Sequence, residues 1–329
     1  MNVGKPIQGE RDAMSQQTTG LLLMAYGTPH GPDAIDSFYT HIRHGQRPSD
    51  ALLQELRNRY QAIGGTSPLA RITKAQADAL ATRLNARHAD QRFKLYLGLK
   101  HAEPFIEDAV EAMHRDGITQ AVAMALAPYD ANASVHGYGE RAQGAAAWLG
   151  GPVITVVSDW CRQEKFIRYW AEQIRTALAV IPEDDLRTTV VIFSAHSLPA
   201  ALLGPPDRYP RQLEESARSI AQAAHLEHYA TGWQSAGRTA DSWLGPDIRE
   251  LTRDLWNSGG YRTFVYCATG FVADHLEVLY DLDIECHAVV TALGGRYIRP
   301  AMPNTAALFI DCLADAASDA LAHQAGVPA

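Results

Sequence analysis

Residues 21–29, "LLLMAYGTP", and residues 190–199, "VVIFSAHSLP", share one pattern. Each is a continuous apolar run that enters a loop of small residues and ends in proline. Such a run, bounded by turn residues, predicts a strand buried on both faces, as in a parallel sheet. Its recurrence about 170 residues later predicts two similar α/β units. Further short apolar runs lie at 93–99, 121–128, 152–158, 228–234, 263–270 and 285–290. Amphipathic patterns at 49–63, 73–87, 103–115, 162–179, 211–224 and 247–257 separate them, and a last one covers 304–324. Alternating strands and helices predict an α/β fold of two similar Rossmann-like domains, each a parallel sheet flanked by helices, with a cleft between them. The expected divisions are a disordered extension over 1–19, an N-terminal domain over 20–155 and a C-terminal domain over 156–303. Residues 304–329 are expected to pack back on the first domain.

Bulk properties narrow the function. The chain has 329 residues, 47% hydrophobic and 20% charged, with a formal net charge of −8. A general nucleic-acid binder needs a basic face, which this balance does not favour. The first twenty residues are polar, unlike a signal peptide, and the run 21–25 is too short to span a bilayer. A cytoplasmic protein is expected. The cysteines, Cys161, Cys267, Cys286 and Cys312, are scattered without a C-x-x-C pair, so zinc and iron–sulfur sites are not signalled.

In open α/β sheets, ligands bind beyond the carboxyl ends of the strands. Tyr26–Pro29, Lys100–His101, Ala195–Ser197 and Thr269–His275 fall there. His196, just past an apolar strand, is either a hydrogen-bonded side chain or a functional imidazole. A serine hydrolase is disfavoured, because in "GWQSAG" (232–237) Trp233 stands where the nucleophile motif needs glycine. "IGGTSPL" (63–69) reads as a turn, and "HIRHGQRP" (41–48) with Arg57 and Arg59 as the main cationic cluster of this half.

"FVADHLEVLYDLDIEC" (271–286) is unusually acidic. Asp274 with Glu277 resembles a capping box, which places Asp274 at the helix N-cap. Glu277, Asp281 and Glu285 are four apart, one column on a helix, where like charges repel by roughly 0.2–0.5 kcal/mol per pair. A solvated face or a bound cation would offset that repulsion. Carboxylates leading to a histidine suit iron(II), which accepts mixed oxygen and imidazole ligands.

Taken together, several strings resemble the ferrochelatase family from about residue 20 to 310. They are "LLLMAYGTP", "YTHIRHGQRP" (39–48), "RYQAIGGTSPLARIT" (59–73), "LGLKHAEPFIEDAV" (97–110), "SAHSLP" (194–199), "GWQSAGRT" (232–239), "WLGPD" (243–247) and "GFVADHLEVLYDLDIEC" (270–286). More narrowly the chain resembles the monomeric, Gram-positive-type branch that uses coproporphyrin III. The resemblance implies insertion of Fe(II) into a porphyrin held in the cleft, with His196 and Glu277 as the catalytic and metal-contacting pair. It implies Tyr26 as an axial contact to product iron and as the mark of coproporphyrin III over protoporphyrin IX. Asp281 and Glu285 match an outer metal path, with Arg59 near its outer end. Arg43, Ser67, Tyr138 and Trp243 match porphyrin contacts, and His101 and His275 supporting positions. His44 stands where relatives carry a second arginine, and the loop 126–138 is less aromatic than theirs. No tightly bound cofactor and no iron–sulfur cluster are expected. Coproporphyrin III and Fe(II) are the implied substrates, and a coproheme decarboxylase an implied downstream partner. A non-catalytic haem carrier is the rival of another class.

Overall fold

The structure is a computed structural model and describes residues 17–131, 137–158, 160–204, 208–237, 239 and 241–324. The first series of elements runs β1 (Gln17–Ala25), α1 (Ile35–Ile42), α2 (Asp50–Ala62), α3 (Leu69–Arg87), β2 (Gln91–Leu99), α4 (Ile106–Arg115), β3 (Gln120–Ala125), α5 (Gly137–Leu149) and β4 (Val153–Val157). The second runs α6 (Glu164–Leu178), α7 (Glu183–Leu186), β5 (Thr189–His196), α8 (Tyr209–Ala224), β6 (Tyr229–Gln234), α9 (Ile248–Gly259), β7 (Thr263–Cys267), a π-helix (Val278–Cys286), α10 (His287–Leu293), β8 (Arg296–Ile298) and α11 (Ala307–Gln324).

The strands form two four-stranded parallel sheets, ordered β2-β1-β3-β4 and β6-β5-β7-β8. The order is the same in both, and the two echoing sequences, β1 and β5, occupy the same internal place. Both are buried nearly end to end, and Leu21 to Met24 expose no surface. Alternate side chains of β1 enter different cores, as the two-residue period of a strand requires. Leu22 and Met24 pack with Ile106 and Val110 of α4 and Ala142 of α5. Leu21 and Leu23 join a larger core that runs through both sheets and includes Leu80, Trp170, Phe193 and Phe309. Helix α11 contributes to this core and lies against α3, α6, β3 and β4. Arg87 and Lys165 both reach Asp315 of α11, at 2.7 and 2.6 Å.

Three sequence expectations change. Residues 17–19, expected in the disordered extension, begin β1; residues 1–16 lie outside the described residues, as do 132–136 of the loop 126–138 and 325–329. Residues 285–290 are not a strand but the end of the π-helix and the start of α10, and the edge strand is β8. The deciding signal is spacing: Val278, Leu282, Cys286 and Val290 recur every fourth residue and are all fully buried. That apolar stripe outweighs the β-branched pair at its end. Gly294, at φ +81°, then ends α10 in the left-handed conformation and lets the chain turn into β8. The third change, at Asp274, belongs to the site.

Candidate active site

The carboxyl end of β1 carries Tyr26. Gly27 follows at φ +91°, and a Cβ there would lie 3.1 Å from the Ala102 nitrogen, so only glycine fits this turn without strain. The loop after β2 is stitched to this point: Lys100 N donates to Ala25 O at 2.9 Å and His101 N to Tyr26 O at 3.0 Å. The His101 ring therefore lies against Tyr26, 4.6 Å between centroids, with His41 Nδ1 3.1 Å from His101 Nδ1. Burial, then the charges of Lys100 and His41, depress the His101 pKa to about 3, so this imidazole is neutral. Tyr26 is 43% exposed yet walled by protein on its other sides. That enclosure, then the Glu277 charge, pushes its phenol pKa far up.

The carboxyl end of β5 carries His196. Its Nδ1 lies against the Ser197 carbonyl oxygen, which can only accept, so Nδ1 donates there, and in the neutral ring Nε2 is left with the lone pair. Nε2 lies 3.6 Å from Glu277 Oε1. On the other side His275 Nε2 lies 3.7 Å from Glu277 Oε2, and His275 Nδ1 is likewise on a backbone carbonyl, Ala273 O at 3.0 Å. One carboxylate thus sits between two imidazole Nε2 atoms. Burial would raise the pKa of Glu277, but positive charge on His196, then His275 on its other side, holds it down, to about 2. Asp281, one turn on, moves the other way: burial and the Glu277 charge raise it to about 6, against the pull of Ser235 and Arg59. Two carboxyl groups with pKa values pushed apart divide their work, one fixed as an anion and one able to exchange a proton near neutrality.

The acidic column lies on a π-helix, a rare conformation with i→i+5 bonding that recurs at functional sites. The protein's own groups offset part of its repulsion. Ser235 hydrogen-bonds Asp281, Arg59 Nη1 lies 3.7 Å from Asp281, and Arg249 Nη1 lies 3.0 Å from Glu285. Arg59 therefore meets the middle of the column, not its outer end, and its guanidinium covers the Tyr280 ring at 4.9 Å. Arg249 holds the outer end, also bonded to Asp247. Asp274 does not cap the helix, which begins at Leu276. Asn304 Nδ2 donates to its carboxylate at 2.7 Å and Arg299 approaches at 3.2 Å. An ionised carboxylate with a cation in reach prefers that pairing to an N-cap.

Tyr138 is buried, with Lys100 Nζ 5.4 Å from its ring centroid. The Arg43 Nε is buried without a hydrogen-bond partner among the described residues. Ser67 Oγ accepts from Leu69 N at 3.2 Å at the start of α3. Trp243 donates from Nε1 to Thr239 Oγ1 at 3.0 Å, and its segment pairs with Pro199, close to His196 in sequence. Sequence reasoning missed Ser235 and Arg249. In the sequence Ser235 reads only as a candidate nucleophile, and nothing local marks Arg249 as the partner of Glu285. Among the described residues no group of three or more His, Cys, Asp and Glu side chains is arranged to hold a metal ion.

The sequence model of the ferrochelatase family matches residues 18–321. The coproporphyrin III ferrochelatase of Geobacillus kaustophilus is 54% identical over 301 residues, covering 92% of this chain and 95% of the relative. That of Geobacillus thermodenitrificans is 52% identical over 311 residues, covering 94% and 98%. Among solved structures, SirB from Bacillus subtilis with Fe3+ shares the fold with a TM-score of 0.56 at 13% identity, covering 94% of this chain and 98% of that one. CbiX, described as the terminal enzyme for biosynthesis of siroheme in denitrifying bacteria, has a TM-score of 0.52 at 14% identity, covering 91% and 98%. With a family match across nearly its whole length and relatives above half identity, the chain belongs to the ferrochelatase family.

Proposed function

We propose that the protein inserts Fe(II) into coproporphyrin III, giving coproheme for haem biosynthesis. One observation carries the reading: the Glu277 carboxylate lies between the Nε2 atoms of His196 and His275. The names of the close relatives supply the substrate.

Metallation needs a loosely held metal and an acceptor for two pyrrole protons. His196 Nε2 offers a lone pair, and Glu277 stabilises the imidazolium formed when that nitrogen takes a proton. His196 and Glu277 also make the inner contacts to iron, two side chains rather than a closed ligand set, so the metal is released to the ring; Nε2 has one lone pair and is free for a proton only once iron has left it. Ser235 hydrogen-bonds Asp281, one turn from Glu277, a carboxyl that titrates at about 6 and gives protons a way out. Glu285 with Arg249 forms the outer end of the path. Across the cleft, the raised pKa keeps Tyr26 a phenol in the free protein, and its oxygen becomes an axial contact to product iron. Arg43, Ser67, Tyr138 and Trp243 bind the porphyrin, where the unpartnered Arg43 Nε suits a propionate. The protein works as a cytoplasmic monomer without a resident cofactor and passes coproheme to a decarboxylase.

The test is anaerobic mixing of the protein with Fe(II) and either coproporphyrin III or protoporphyrin IX, following the visible bands. Faster metallation of coproporphyrin III is expected. Equal or faster turnover of protoporphyrin IX overturns the substrate assignment. Tight haem binding without insertion makes the protein a carrier.

A further inference from the structure

We infer that Ser197 is a positioning residue that fixes the His196 tautomer and ties it to the Trp243 segment. The inference rests on His196 being the base of the proposed reaction. Ser197 is buried, 1% exposed, and is held at three points. Its N–H donates to Gln234 O at 2.7 Å, at the end of the neighbouring strand β6. Its Oγ donates to Leu244 O at 2.8 Å. Its carbonyl oxygen accepts from His196 Nδ1. The His196 carbonyl is held in turn by the Tyr209 hydroxyl at 2.9 Å.

The consequence lies in the ring nitrogens. A free imidazole exchanges between two neutral tautomers, and only the one with its proton on Nδ1 leaves a lone pair on Nε2, the atom that faces Glu277. A backbone carbonyl held against Nδ1 selects that tautomer, and the orientation of the Ser197 peptide decides whether the carbonyl is there. The Oγ anchor ties this peptide to Leu244. The same segment pairs with the loop after β5 through Leu244 N to Leu198 O at 3.0 Å and Ala200 N to Ser242 O at 2.7 Å. Trp243 lies between those two contacts. A porphyrin packed on Trp243 therefore presses on the segment that holds His196 in its reactive form.

The test uses the full chain with Ser197→Ala and Ser197→Thr. Removing a group that orients a reacting histidine typically costs 10–100-fold. Ser197→Ala is expected to lose kcat by about that factor while KM for coproporphyrin III stays within about twofold, since the lost interaction matters only to the chemical step. Ser197→Thr keeps the hydroxyl and restores kcat. Nitrogen-15 NMR of the histidine rings, with the His196 signals identified by their absence in His196→Ala, reads the tautomer directly. The wild type shows the Nδ1–H form, and Ser197→Ala a mixture of both. Unchanged kcat in Ser197→Ala, a change in KM alone, or lost kcat with the tautomer unchanged each overturns the inference. Should Ser197→Ala not fold, Ser197→Cys, with a much weaker donor, takes its place with the same expectations. A wild type that does not metallate porphyrin sinks the proposed function instead, and leaves the NMR comparison standing.

Discussion

The ends of β1 and β5 occupy equivalent places in two sheets of identical strand order, yet they bear different chemistry. The β5 end carries an imidazole whose Nε2 faces the Glu277 carboxylate; the β1 end carries a phenol held neutral by its surroundings. Neighbouring loops sharpen the contrast. Two imidazoles beside Glu277 hold that carboxylate at about 2, whereas Lys100 and His41 beside His101 help to keep its ring uncharged. One α/β frame thus sets an imidazole against a carboxylate past one strand and a phenol against a neutral imidazole past its counterpart. The frame supplies position, and the few residues past each strand supply function.

The largest expected effect follows from that asymmetry. His196→Ala or Glu277→Gln should lower kcat by about 10²–10⁴-fold, the usual contribution of a positioned acid–base group. Tyr26→Phe, past the other strand, should leave insertion within about tenfold, since the phenol is not charged in the free protein, while changing the visible spectrum of bound coproheme. Stopped-flow metallation together with porphyrin binding by fluorescence quenching checks both. If Tyr26→Phe abolishes insertion and His196→Ala does not, the two strand ends have been assigned the wrong way round.

The second prediction concerns pH and stability. Asp281 has a folded pKa of about 6 against an ordinary value of 3.8, so the native state holds its proton more tightly than the unfolded chain. Its contribution to stability is fully present below pH 3.8 and is lost as pH rises through 6. Glu277 works in the opposite sense, with stability present above pH 4.5 and lost as pH falls toward 2. Asp281→Asn removes the first loss. Urea unfolding at pH 4 and pH 7 should show the variant gaining about 1–3 kcal/mol on the wild type between them. A constant difference at both pH values would mean that Asp281 titrates alike in the folded and unfolded chain.

Third, each end relies on a glycine for a different reason. A Cβ at Gly270 would lie 2.7 Å from Ala195 Cα, directly before His196, and overpacking of this kind costs about 1–3 kcal/mol. At Gly27 a Cβ would meet Ala102 less closely, at 3.0 Å, but the residue sits at φ +91°, where a side chain strains the backbone by about 1–2 kcal/mol. Gly270→Ala is therefore expected to reduce kcat as well as stability, because it displaces β5, whereas Gly27→Ala lowers mainly stability. Denaturant midpoints with parallel kcat measurements separate the two.

Much of this was legible in the sequence because it is local. The echo of 21–29 and 190–199 marked two equivalent strands, since buried parallel strands must be apolar throughout. Strand ends placed Tyr26, His101, His196 and His275 at the cleft, because parallel sheets bring their carboxyl ends to one edge. What escaped depends on contacts distant in sequence. Arg249 reaches Glu285 across 36 residues and Arg299 reaches Asp274 across 25, and no spacing rule connects them. The same limit explains Asp274: its local pattern fits a cap, but a guanidinium brought in by the fold outweighs one backbone N–H. The strand expected at 285–290 failed because residue preference was read ahead of the four-residue apolar spacing beneath it.

The smallest effect belongs to the outer end of the acidic column, and it separates a conduit from a structural ion pair. Arg249 is 41% exposed, and such a pair is worth about 0.2–1 kcal/mol in solution. Arg249→Ala should therefore lower stability by no more than about 1 kcal/mol. It also leaves Glu285 without its cation while Asp281 keeps Ser235 and Arg59. A carboxylate released from its cation attracts Fe(II) more strongly, so the KM for iron should fall, most visibly at low ionic strength where surface charges are least screened. Glu285→Ala should raise that KM and leave KM for the porphyrin unchanged. If both variants keep the wild-type KM for iron at low salt, the column is held by its arginines for structure alone, and metal reaches His196 and Glu277 by another route.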